Sequence, residues 1–212
     1  MKIEELTKMY IGEESNELFG VATPERTERG TYLVENLKEG RFTEISSLNI
    51  QTSKYHQELL MDHIAIVVHK MYEMVKLENE ETKKIAIAIA LLHDIGKKYT
   101  IKINAVGDIC YYNHEQLSAD LSKVFLRSRG NFTEDEINMI YIVIHQHLQL
   151  KLIKDYIARR CYVEGFKKIY GEKAYEYIEM LNVCDQGIPE GIPIDYDYIK
   201  KGYSIIDDYS WF

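Results

Sequence analysis

The chain predicts an all-α protein, and three observations carry the prediction. Leu60, Ile64, Val67, Met71, Met74 and Val75 recur at threes and fours, the spacing of one face of a helix. The run Ile85 to Ala90 is apolar on every side, which reads as a helix buried all round. Only three prolines occur, and runs of Val or Thr that would favour strands are few. At 212 residues the chain suffices for one good-sized core, or for a core with a small appendage. No stretch of eighteen or more apolar residues predicts a membrane span. The segment Met1 to Met9 is polar and charged and lacks the apolar centre of a signal peptide. Cys110, Cys161 and Cys184 are odd in number and far apart, so they form no disulfide framework or paired-cysteine metal site, and a cytoplasmic location is expected. The net charge of -8 weighs against a non-specific grip on a nucleic-acid backbone. It leaves room for a phosphorylated small molecule, or for a strand end held by a few local cations. The seventeen tyrosines suggest no function.

Taken in order, residues 1–52 read as an N-terminal extension packed on the core. Thr23-Pro24-Glu25 resembles a helix start, and Gly12, Gly20, Gly30 and Gly40 punctuate the stretch. Residues 53–188 hold the main domain. A helix is expected from Ser53 to about Leu77, with His56 and His63 two turns apart on one face. His63 falls among the apolar positions, as a core histidine or a ligand would; His69 points elsewhere and reads as exposed. The all-apolar helix runs from about Thr82 to His93-Asp94, with Gly96 as its stop and Lys97 and Lys98 following. Residues 99–113 suit a short hairpin or a loop. His114-Glu115 opens a helix that carries Leu117, Leu121, Val124 and Phe125 on one face and ends at Gly130-Asn131.

Thr133 and Glu136 form a predicted capping box for the next helix, which turns Ile137, Ile140, Tyr141, Ile144 and Leu148 inward. His145 and His147 are two residues apart, roughly 200° around a helix, so only one of them can face inward. His145 lies beside Tyr141, Ile144 and Leu148 and is the one expected there; His147 is assigned to the surface or to a supporting position. Residues 151–170 are amphipathic and basic, with Arg159, Arg160, Lys167 and Lys168, and read as a solvated face. After Gly171, a stripe of Ala174, Ile178, Leu181 and Asp185 places a carboxylate in the fourth core-facing position, unless the helix has already ended and Asp185 caps a turn. Residues 189–212 form an acidic, tyrosine-rich tail, expected as an aromatic strap on the surface.

Six polar intrusions then stand out: His63, His93, Asp94, His114, His145 and Asp185. Each lies on an apolar helical face or at a helix end. Buried carboxylates require compensating cations. Neutral imidazoles and carboxylates are together a ligand set for Mn, Fe, Co, Ni, Zn or Mg. A bundle interior can gather ligands from several helices, as one helical face cannot. A single site accounts for all six more simply than six separate accidents.

At Tyr55-His56-Gln57-Glu58-Leu59-Leu60-Met61-Asp62-His63, Ala90-Leu91-Leu92-His93-Asp94-Ile95-Gly96-Lys97 and Asn113-His114-Glu115-Gln116-Leu117-Ser118-Ala119, the chain resembles the HD-domain metal-dependent phosphohydrolases. The likeness is to the HD domain of bacterial CCA-adding enzymes and their stand-alone relatives, and it runs over residues 53–188. It implies an HD-domain helical bundle with a metal site in its interior, plus short additions at both ends. His63, His93, Asp94 and Asp185 match the family's ligand pattern, and His114 and His145 are candidates for the extra histidines of two-metal members. It further implies one or two divalent ions, a metal-activated hydroxide, and a phosphomonoesterase or phosphodiesterase acting on a nucleotide or related phosphate ester. In that scheme Asp94 is the bridging ligand, Lys97 contacts the phosphate, and His56 touches substrate or protonates the leaving oxygen. The stretch before Ser53 is too short for a nucleotidyltransferase half, so specificity for tRNA ends is not expected to carry over. A homodimer is compatible with the resemblance. Two other functions share these residues: an HD-fold di-iron oxygenase and a non-catalytic nucleotide-sensing module.

Overall fold

The computed structural model describes residues 56, 58–103, 105, 109–188 and 192–209. The expected extension over 1–52, with its proposed helix start at Pro24 and its glycines, lies outside the described residues. Among those residues the chain is helical apart from one small hairpin, in agreement with the all-α prediction.

Helix α1 is Leu60–Val75. It starts later than the periodicity suggested, so His56 precedes the helix and does not share its face with His63. Helix α2, Glu80–Leu92, begins at Asn79, whose side chain accepts the Thr82 amide and satisfies one of the open N–H groups of the first turn. Every residue from Ile85 to Leu92 is buried, and α2 packs against α1 and the helices that follow. The chain then turns through 93–96 into the short α3, Lys97–Thr100. Strands β1 (Ile101–Ile103) and β2 (Ile109–Tyr111) pair antiparallel, with Ile101 opposite Tyr111.

Helix α4, His114–Arg129, is entered through Asn113 at φ 59° and left through Gly130 at φ 72°. Both are in the left-handed region, which asparagine tolerates and glycine adopts without steric cost. Helix α5, Glu134–Gln146, carries the predicted capping box: Thr133 accepts from the Glu136 amide, and Glu136 accepts from the Thr133 amide. Then come α6 (Gln149–Leu152), α7 (Tyr156–Tyr170), α8 (Glu172–Cys184) and α9 (Tyr196–Asp208). Helix α9 replaces the expected surface strap. Its Ile199, Gly202 and Ile206 are buried, and it lies against α1 so closely that a β-carbon on Gly202 would sit 2.0 Å from the Ala65 carbonyl oxygen.

Gly96 also does more than stop a helix. A β-carbon there would meet the His114 carbonyl oxygen at 2.6 Å and the Ser118 amide at 2.7 Å. The Gly96 amide donates to Ser118 Oγ at 2.9 Å. A residue without a side chain thus lets the turn after His93-Asp94 press directly onto the first turns of α4, where His114 is. None of the three cysteines forms a disulfide, and no helix among the described residues is long and apolar enough to cross a membrane.

Candidate metal centre

The polar cluster lies where four helix ends meet beside the first turn of α1. Helix α2 is apolar all round, so its C-terminus cannot carry His93 and Asp94 to solvent; the turn leaves them 0 % and 1 % exposed. His63 comes from α1, His114 opens α4, and Asp185 is the residue on which α8 ends. Asp185 therefore sits at a helix C-cap and is also 8 % exposed, combining the two readings that the sequence left open.

Ligand atoms of His63, His93, Asp94 and Asp185 all lie within 4.8 Å of one another. His63 Nε2 is 3.1 Å from Asp185 Oδ1 and 3.4 Å from Asp94 Oδ2. His93 Nε2 is 3.2 Å from Asp94 Oδ2 and 3.7 Å from Asp185 Oδ1. The other Asp94 oxygen faces a second group: Oδ1 is 3.2 Å from His114 Nε2 and 4.0 Å from His147 Nε2. Asp94 is thus shared, one oxygen to each group.

The second group corrects the expectation for α5. His147, assigned to the surface or to a supporting position, is 1 % exposed and stands in the cluster. His145 stands outside it, with its Nε2 2.5 Å from Gln116 Oε1 and its Nδ1 2.5 Å from Gln146 Nε2. The buried stripe of α5 is Ile137, Ile140, Val143 and Ile144, which His147 continues at i+7, i+4 and i+3 from the last three. Tyr141 and Leu148, which pointed to His145, are only half-buried. His69, read as exposed, is buried against the Tyr198 ring at 4.1 Å.

Hydrogen bonds on the far side of each ring fix its tautomer. The Nδ1–H of His93 donates to Ala90 O at 2.8 Å, that of His114 to Tyr111 O at 2.7 Å, and that of His147 to Ile144 O at 2.6 Å. A carbonyl can only accept, so Nδ1 carries the proton in all three. His63 Nδ1 is 3.1 Å from the buried carboxylate of Glu58, whose acidity is raised: burial opposes its ionisation, but bonds from His56 and His63 prevail. Four Nε2 atoms, opposite the anchored Nδ1 atoms, therefore converge on two carboxylates, where they would present electron pairs to a bound cation. Among the described residues, His93 Nε2, His114 Nε2, His147 Nε2 and Asp94 Oδ1 are buried without an aligned hydrogen-bond partner.

Such a knot of acceptors needs positive charge within it, either protons on the rings or cations between them. Burial opposes charge on His93, yet Asp94 and Asp185 outweigh it and push its pKa up to about 9. Burial and the neighbouring His114 push His147 down to about 3. Burial also opposes ionisation of Asp94 and Asp185, but His93 and Lys97 hold the first, and His63 and His93 the second, well below the usual carboxylate range. Two ammonium groups close the rim: Lys97 Nζ is 2.5 Å from Asp94 Oδ2, and Lys151 Nζ is 2.5 Å from Asp185 Oδ2.

The residues fit a metal ion. Neighbouring ligand atoms of one ion with bonds of about 2.1 Å stand roughly 3 Å apart, as these do, and imidazoles bound through Nε2 with Nδ1 tied to a carbonyl or carboxylate are the usual arrangement. Three participants escaped the sequence reading. His147 was legible in its stripe. Glu58 precedes α1 and belongs to no periodic pattern. Lys151 was hidden among surface cations. His56, expected beside substrate, is part-buried, with its Nδ1 2.8 Å from Glu58 Oε1 and its ring edge-on to His63 at 4.8 Å. Searches against protein-family models, curated proteins and solved structures return no match to this chain.

Proposed function

We propose that the protein is a metal-dependent phosphohydrolase of the HD-domain type, acting on a small phosphate ester or nucleotide. The observation that carries the reading is the convergence of four Nδ1-anchored imidazoles on Asp94 and Asp185 in a buried pocket. The motif Leu91-Leu92-His93-Asp94-Ile95-Gly96-Lys97 and its flanking histidines support the same family.

His63, His93, Asp94 and Asp185 would hold one divalent ion; Asp94, His114 and His147 would hold another, with His147 in the place first given to His145. An imidazole-rich set suits Mn, Fe, Co, Ni or Zn better than Mg. Bound there, a divalent ion lowers the pKa of coordinated water and offsets charge on a phosphoryl oxygen. The chain's own groups do the rest. Glu58 and three backbone carbonyls fix the imidazoles in the tautomer that can bind. Lys97 sets a permanent positive charge at the edge of the cluster, where a phosphoryl oxygen would lie. His56, anchored by Glu58 through Nδ1 and edge-on to His63, would when protonated at Nε2 give a proton to a leaving oxygen.

The test is to strip the purified full chain with chelator and reload it with Mn, Ni or Co. It is then offered a panel of phosphate esters while phosphate release and oxygen uptake are both recorded. Metal-dependent phosphate release without oxygen uptake is expected. Oxygen-dependent cleavage would move the chain to the di-iron oxygenases, and nucleotide binding without turnover would make it a sensing module.

A further inference from the structure

We propose that the recess beside Asp185 is the leaving-group pocket of this site, and that it takes a group bearing a second negative charge, phosphate or carboxylate. This rests on the phosphohydrolase reading above. The recess measures about 630 Å³ and is lined by His56, Lys151, Arg159, Glu179, Asp185 and Gln186, among others. That is far more room than a bare phosphate needs and lies within the range of pockets that enclose a small organic molecule. Its lining shares Asp185 with the ligand cluster and His56 with the cluster's edge, so a substrate whose phosphoryl group reached the cluster would have this space for its remainder.

The charges facing the recess favour an anion. Of its two acids, Asp185 is held by Lys151 and His63 and would share its charge with a metal ion in the cluster, while Glu179 accepts from the Tyr175 hydroxyl at 2.5 Å, which ties down one oxygen and leaves its charge in place. Its two cations come from separate elements, Lys151 from α6 and Arg159 from α7. Two of the other cations of α7 pair with acids, Arg160 with Glu164 at 2.8 Å and Lys167 with Glu172 at 2.9 Å; Lys168, which makes no salt bridge among the described residues, does not line the recess. Arg159 makes no salt bridge among the described residues. Its planar guanidinium matches the geometry of a carboxylate or phosphate. Lys151 is 34 % exposed and among the described residues is bonded only to Asp185, at Oδ2 and the carbonyl, a bond weakened by any cation that shares Asp185. His56 donates through Nδ1 to Glu58, which leaves its Nε2 for the recess it lines. A substrate with one phosphoryl group and no other charge would engage the cluster and Lys97 and leave Lys151 and Arg159 unanswered.

Phosphonates test this because phosphohydrolase chemistry does not cleave their P–C bond. The full chain, loaded with Mn²⁺ and kept anaerobic, is titrated calorimetrically with propylphosphonate and with 3-phosphonopropionate, which adds a carboxylate at similar size. The second should bind about tenfold tighter or better, as expected for one charge-assisted contact. Arg159→Ala and Lys151→Met should each reduce the preference to about twofold or less, and Arg159→Lys should keep part of it. Arg159 is exposed, so its replacement leaves the fold intact even if Lys151→Met disturbs Asp185. Equal binding of the two probes, or a preference that survives in both variants, overturns the pocket while the phosphohydrolase reading stands. Binding of neither probe overturns both.

Discussion

Helices α2 and α7 are of similar length and serve the site in opposite ways. From Ile85 onward α2 has no exposed face, and it delivers His93 and Asp94 to positions 0 % and 1 % exposed. Helix α7 buries only Phe166, while Tyr156, Ile157 and Ile169 are 76 %, 70 % and 71 % exposed. Candidate ligands that converge to within a few ångströms include two delivered by an element buried on every side. A group proposed to meet a variable molecule, Arg159, comes from an element with one buried side chain. Rigidity and accessibility are divided between helices because no single helix can supply both.

The largest effect should come from breaking what α2 delivers. Asp94→Ala removes the carboxylate shared by both groups and should lower kcat/KM at least about a thousandfold, roughly 4 kcal/mol of transition-state stabilisation. Loss of retained metal by elemental analysis should accompany it; full metal with full turnover would contradict the shared role. The contrast between the helices is then tested by stability. Ile89→Ala, at a fully buried position, should cost about 3 kcal/mol in chemical denaturation. Ile157→Ser on α7 should stay within about 0.5 kcal/mol.

Two smaller effects sharpen the comparison. His147→Ala should weaken the second metal about a hundredfold or more, whereas His145→Ala should change it less than about threefold; titration with Mn²⁺ reads both. The sample stripped by chelator should also show a distinctive pH dependence. His93 is raised from 6.5 to about 9, so the stability it lends is complete below pH 6.5 and is lost as pH rises through 9. His147, lowered to about 3, is neutral in both folded and unfolded chain above 6.5 and does not alter that window. Between pH 6.5 and 9 the stripped protein should lose on the order of 1 kcal/mol per pH unit. The metal-loaded protein should show a weaker or opposite slope, since metal binding requires neutral imidazoles.

What the sequence disclosed follows the strength of each pattern. The interior helix ending in His93-Asp94 was legible because nothing but burial explains an all-apolar run. The capping box was legible because Thr133 and Glu136 act within one turn. Asp185 was legible as the fourth member of a stripe. The choice between His145 and His147 failed at a helix end, where aromatic Tyr141 was weighted above Val143, although Val143 is the buried one. Glu58 left no trace, because a carboxylate before a helix resembles any other surface acid until the fold brings His63 and the Ile188 amide to it. The stripe Ile199, Gly202, Ile206 was readable but was obscured by the surrounding tyrosines and acids.

The contact of Gly202 with Ala65 has a dynamic consequence. Two helices whose backbones touch cannot separate by side-chain rearrangement; they open together or not at all. Tyr203, the next residue, donates to Asp62, which immediately precedes His63 in α1. Amide exchange in the middle of α9 should therefore be as slow as in α1, in place of the rapid fraying usual for a peripheral helix. The imidazole of His63 would then be released only in the same excursion that lifts α9 from the core.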